Sequence, residues 1–157
     1  MASLFDTTRN FSLYAIPVAW VLAFAPHAYA ASASKVFDNR SPRTYVKTLE
    51  ADQTIDKATK DLIIRCEGAQ SNGFENLGLF ASAVVAANLA GLPAQTLNML
   101  SGAYLVSRVA YNYLYMTNTS QSAATLRSVV FVSGVGLCWT MFIKSANILK
   151  DSAANIL

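Results

Sequence analysis

The chain has 157 residues, room for one modest domain; 54% are hydrophobic, 13% are charged and the formal net charge is +3, a balance unusual for a soluble domain. The apolar residues fall in runs that reach the roughly 20 residues a helix needs to cross a bilayer core, and no stretch alternates as a membrane barrel requires. The basic residues do not interleave with aromatic ones, which argues against a nucleic-acid platform.

The first span is expected from about Phe11 to Ala31, through SLYAIPVAWVLAFAPHAYA. Arg9, the apolar stretch and Ala28-Tyr29-Ala30 also fit a cleavable signal peptide. The reading adopted is a retained helix, because the apolar stretch is longer than a usual signal core. Pro17 and Pro26 are expected to bend it or mark its end. A polar loop, about residues 34–60, follows. It gathers Lys35, Arg40, Arg43, Lys47, Lys57 and Lys60, mixed with Asp38, Glu50, Asp52, Asp56 and the adjoining Asp61. An amphipathic helix starts near Ile55 and becomes the second span, about residues 72–92. Gly91-Leu92-Pro93 breaks it and forces the third span, about Leu97 to Met116, to run antiparallel. Thr117 to Ala124 is a polar connector, and the fourth span runs from about Thr125 to Ile148. The six loop cations place the first loop on the cytoplasmic side and both termini on the opposite side. The sequons at Asn39 and Asn118 then face the cytoplasm and stay unmodified, and Asn10 lies close to the bilayer. Cys66 and Cys138 sit singly in separate apolar segments and read as buried thiols. One histidine and no ligand cluster give no basis for a metal site.

Ionisable groups inside spans are costly and usually mark function. Arg65, Gly68, Asn72, Glu75 and Asn76 fall at helical offsets on one face of the second span. Ser101, Tyr104, Arg108, Tyr111 and Tyr115 form an equally regular stripe on the third. At 1.5 Å per residue, Glu75 lies roughly 25 Å from the far-side turn, between Arg108 at roughly 18 Å and Tyr115 at roughly 28 Å. An ion pair between Glu75 and Arg108, within or between subunits, would let both charges survive burial. Arg127 opens the fourth helix on the same side, so the three segments are expected to converge on one polar cavity. For each element there is a plainer reading. Asn72, Glu75 and Arg108 can be polar glue between helices, Tyr113 an interfacial belt residue and Arg127 a snorkelling one. Two arginines, a carboxylate, amides and phenols on converging faces exceed what glue requires.

These residues resemble a known family. Arg65-Cys-Glu-Gly-Ala-Gln-Ser-Asn72-Gly-Phe-Glu75-Asn76 is similar to the second-helix signature of the MAPEG proteins, membrane-associated proteins in eicosanoid and glutathione metabolism. Ser107-Arg108-Val-Ala-Tyr111-Asn-Tyr-Leu-Tyr115 resembles their third-helix signature, and Thr125-Leu-Arg127-Ser the start of their fourth helix. The resemblance covers about Asp61 to Val130 well and the rest by span count. It implies a single all-α domain over residues 1–157, an integral membrane four-helix bundle protomer. It also implies a homotrimer in endoplasmic-reticulum-type membranes, a glutathione site between subunits, and lipophilic substrates arriving from the bilayer. By position, Arg65, Gln70, Asn72, Glu75, Arg108, Tyr111 and Tyr115 would line the glutathione site. Arg127 would serve the thiol, with Arg108 and Tyr115 as further catalytic candidates. Arginines suit the two carboxylates of glutathione, and a guanidinium near the thiol favours the thiolate. A guanidinium or phenol can also stabilise an oxyanion on the substrate.

Three functions are compatible with this pattern. The first is a glutathione-dependent transferase or peroxidase acting on a lipophilic electrophile. The second is a glutathione-independent isomerase or cyclase of an apolar metabolite, with the same polar groups as general acid and base. Gly68 and Ser71 motivate it, because they stand where relatives commonly carry basic residues and are expected to widen and neutralise the pocket. The third is a non-catalytic lipid-binding membrane protein.

Overall fold

The computed structural model describes residues 8–34 and 36–154, with side chains as far as residue 151; Lys35, one of the six loop cations, lies outside the described residues. Five α-helices follow in order: α1 Ala15–Ala33, α2 Tyr45–Ala51, α3 Lys57–Leu89, α4 Ala94–Thr117 and α5 Gln121–Ala154. No strand occurs among the described residues. The segments Ser12–Ala33 and Gln121–Asp151 are long and apolar enough to cross a membrane. The other two expected spans lie inside α3 and α4, where the polar stripes lower the hydropathy. The expected loop contains α2 and the first turn of α3.

α1 packs on α3 and α4 through small residues. Ala15, Ala19, Ala23 and Ala30 are buried, while Trp20, Val21, Phe24 and Tyr29 point outward. Small side chains let two backbones approach closely, and here they do so at Gly73 of α3. A Cβ there would lie 2.8 Å from Ala23 Cβ and 2.9 Å from Ala23 Cα. Pro17 sits in the first turn, where a missing N–H costs nothing. Pro26 does not end the helix, which continues to Ala33. A proline cannot donate to the carbonyl four residues back, and Asn112 of α4 replaces that donor. Its Nδ2 donates to Leu22 O at 2.8 Å.

The entry to α1 is tied to the far end of the molecule by asparagines. Asn10 Nδ2 donates to Asn88 Oδ1 at 2.6 Å, and Phe11 N donates to Asn98 Oδ1 at 2.7 Å. α3 starts on Asp56, whose side chain accepts from Thr59 N at 2.9 Å, satisfying a free helix-end donor. The Thr59 hydroxyl and amide hold the Asp56 carboxyl below the usual carboxylate range. α3 ends in a Schellman motif: Leu92 N donates to Ala87 O and Gly91 N to Asn88 O. Gly91 takes the left-handed conformation at φ 75°, the geometry a side chain disfavours. Pro93 follows, and α4 returns antiparallel as expected.

Phe80 of α3 stacks on Tyr104 of α4 with ring centroids 3.9 Å apart, within a core that includes Val84, Leu97, Leu100, Cys138 and Met141. A second cluster at the loop end joins Ala30, Tyr45, Leu49, Ile63 and Cys66. Tyr45 of α2 donates its hydroxyl to Ala30 O at 2.8 Å, which fastens the loop to the end of α1.

Candidate functional site

Arg108 is the centre of the polar stripe on α4 and is 5% exposed. Its Nη1 donates to Asn72 Oδ1 of α3 at 3.2 Å. Its guanidinium carbon lies 5.4 Å from the Tyr104 ring centroid, 4.7 Å from that of Tyr111 and 5.7 Å from that of Phe131. α5 approaches this group at Gly134, where a Cβ would lie 3.0 Å from Ser107 Oγ and 3.3 Å from Arg108 Nη2. Arg108 Nε is buried and has no hydrogen-bond partner among the described residues. Aromatic faces attract a cation, but they do not satisfy its N–H groups.

The expected Glu75–Arg108 ion pair does not form within the protomer. Arg108 bonds to Asn72 instead, and the ion pairs among the described residues are His27–Glu67 and Arg40–Asp38. Glu75 is exposed on α3.

One turn further along α4, Tyr111 and Tyr115 meet edge to face with centroids 5.6 Å apart. Arg127 of α5 lies over the Tyr115 ring at 4.4 Å. Tyr115 also reaches α3: a Cβ on Gly68 would lie 2.6 Å from its hydroxyl oxygen. The expectation that Gly68 widens the pocket is therefore corrected. The space a side chain would need is filled by the Tyr115 phenol.

The structure thus brings together Asn72, Arg108, Tyr111, Tyr115 and Arg127. Arg65 lies at the same end, with its Nε donating to Met116 O at 3.0 Å, so it caps the last turn of α4. Gln70 lies apart from them, in a cleft of about 570 Å³ shared with His27, Arg43 and Glu67. There His27 Nδ1 is 2.8 Å from Glu67 Oε1. Sequence reasoning passed over this pair and Asn112. The signal for the pair was present, an ionisable residue inside each of two apolar helices. Nothing in the sequence marks Asn112 as the answer to Pro26.

Two guanidinium groups, Arg108 and Arg127, lie against the Tyr104, Tyr111 and Tyr115 rings with no carboxylate paired to either among the described residues, and unpaired guanidinium groups can attract an anion. The arrangement sits in a helical, largely apolar chain. The MAPEG family model matches residues 11–147, most of its length, and the chain belongs to the MAPEG family. That family is membrane-associated, generally uses glutathione and includes glutathione transferases and related synthases. No curated protein and no solved structure gives a significant match.

Proposed function

We propose that the protein is a membrane-embedded, glutathione-dependent transferase or peroxidase acting on a lipophilic electrophile. The observation that carries this reading is the pair of arginines, Arg108 and Arg127, stacked on phenols with no carboxylate among the described residues to neutralise them. A buried cation left unpaired is costly, and a carboxylate-bearing, thiol-bearing cofactor relieves that cost. Arg108, with its free Nε and its neighbour Asn72, binds and orients the anionic end. Arg127, fixed over Tyr115, favours the ionised thiol, since one pKa unit corresponds to about 1.4 kcal/mol of differential interaction. Glutathione held there would supply a thiolate nucleophile, able to open a strained ring or displace a leaving group at an electrophilic carbon, or to take the outer oxygen of a peroxide as the O–O bond breaks and the alkoxide leaves. The Tyr115 phenol would donate a hydrogen bond to the oxygen that gains charge.

In this reading α1, α3, α4 and α5 all span an endoplasmic-reticulum-type membrane as a four-helix bundle. The first loop is cytoplasmic, both termini are lumenal, and three copies assemble. Exposed Glu75 and the separately placed Gln70 support a site completed across a subunit boundary, because a carboxylate left facing lipid is expensive.

The experiment is Arg127→Ala. Conjugation of a lipophilic electrophile is expected to fall about tenfold or more, the effect of losing about 1.4 kcal/mol in the transition state, while glutathione affinity changes little. Full retained activity would contradict the assignment.

A second reading, a glutathione-independent isomerase or cyclase, is favoured by one observation. At Gly68 the pocket presents the Tyr115 phenol rather than a further cation, which is an acid–base group. A third reading, a non-catalytic lipid-binding protein, expects lipid binding unchanged in Arg127→Ala.

A further inference from the structure

Three helices change character at the same two heights. At one end Asn10 Nδ2 donates to Asn88 Oδ1 at 2.6 Å, and Asn98 joins that level by donating to Arg9 O and accepting from Phe11 N, both at 2.7 Å. Arg127 lies over Tyr115 and Gly134 meets Ser107, and this antiparallel register puts Lys144 of α5 opposite Asn98. At the other end the polar level runs through His27, paired with Glu67, and through Tyr115 and Arg127. Seventeen residues separate Asn10 from His27, Asn98 from Tyr115, and Arg127 from Lys144. Each interval is roughly 25 Å of helix at 1.5 Å per residue, and any tilt shortens it across a membrane. α3 takes twenty-one residues from Glu67 to Asn88, as a slanted helix does.

Between the two levels the outward surface of α1, α4 and α5 is apolar. α1 and α5 carry no charged residue there, and Arg108 of α4 is turned inward. Trp20, Val21, Val106, Val132 and Trp139 are exposed. Tyr14 and Tyr29 stand exposed on α1 near the two boundaries, the positions that amphipathic rings take at a membrane surface. Glu75 of α3 is exposed within the band, and the reading above turns it toward a neighbouring subunit. An average bilayer core is about 30 Å thick. We infer that α1, α4 and α5 present a lipid-facing surface matched to a hydrocarbon core of about 25 Å, so that the protein prefers phospholipids with short acyl chains around it. A longer acyl chain must compress, or else draw Lys144 and the asparagine level into hydrocarbon. The inference rests on the membrane reading above and is independent of glutathione.

The chain has two tryptophans, Trp20 and Trp139, and both lie exposed on this surface, so their fluorescence reports on the lipid beside them. The protein is reconstituted into phosphatidylcholine vesicles with monounsaturated chains of fourteen, eighteen or twenty-two carbons. Each lipid is mixed in turn with the dibrominated eighteen-carbon lipid, which quenches tryptophan, and the quenching curves give relative binding constants. The fourteen-carbon lipid is expected to bind about threefold or more better than the twenty-two-carbon lipid, because each ångström of mismatch carries a modest cost. Lys144 is exposed and stands outside the candidate site. Lys144→Leu moves the charged boundary of α5 on to Lys150 and is expected to remove most of that preference at Trp139, read in a Trp20→Phe background. Equal binding of all three lipids, a preference for the longest, or an unchanged preference in Lys144→Leu would overturn the inference. Tryptophans that the brominated lipid does not quench would also overturn it, and would assign this face to a second copy of the chain. Failure of the protein to float with the vesicles would overturn it together with the membrane reading.

Discussion

Tyr115 carries the Arg127 guanidinium on its ring face at 4.4 Å and seats its hydroxyl in the notch at Gly68. A methyl group at Gly68 would collide with that hydroxyl at 2.6 Å and with the ring carbon behind it at 3.0 Å. Gly68→Ala is therefore expected to displace the phenol and to cost about 1–3 kcal/mol, as overpacking does. Thermal unfolding in detergent measures it. The double variant Gly68→Ala/Tyr115→Ala should be less destabilised than the sum of its parts, because the collision disappears. The stripes that meet here were legible from helical offsets alone: 65, 68, 72 and 75 on one helix, 104, 108, 111 and 115 on the other. Which groups touch was not legible. Offsets give a face but not the rotation of one helix against another, so Asn72 rather than Glu75 reached Arg108, and Gly68 read as empty space.

Two close contacts control how α1 sits on its neighbours. At Gly73 the backbone of α1 is within reach of any side chain, with Ala23 Cα 2.9 Å from the ideal Cβ position, whereas at Gly78 on the same helix nothing lies within 4 Å. Gly73→Ala is expected to destabilise, since backbone cannot rotate aside. Gly78→Ala is expected to stabilise by about 0.5–1 kcal/mol through helix propensity. A comparison of the two melting temperatures checks both signs. The second contact is Asn112 on Leu22 O. Asn112→Ala leaves that carbonyl without a donor and is expected to cost about 1–3 kcal/mol. Pro26→Ala restores the helical N–H and should abolish most of that cost, which a double-mutant cycle measures. The sequence announced α1 by its apolar run and the α3–α4 turn by Gly91 and Pro93. It did not announce α2, because seven residues with only Tyr45 and Leu49 inward are too few for periodicity to register. Pro26 was a misleading stop signal, because its rescue comes from a residue far along the chain.

At the scale of the molecule, long apolar helices carry a polar seam that a membrane would not tolerate without purpose. α1 and α5 declare themselves by hydropathy; α3 and α4 do not, since the residues that build the seam are the ones that lower their apolar character. The same residues made the family resemblance readable, and the family match over residues 11–147 agrees with it. Among the described residues Arg108 and Arg127 of the seam have no acidic partner, and the account turns on what neutralises them. Glutathione binding to the purified, detergent-solubilised protein, followed by calorimetry with S-alkyl glutathione as a second ligand, tests this directly. The account predicts saturable binding with a dissociation constant of about 1 mM or tighter, roughly 4 kcal/mol of binding free energy or more. Absence of binding at that concentration would contradict it and leave Arg108, Tyr115 and Arg127 to a glutathione-independent chemistry.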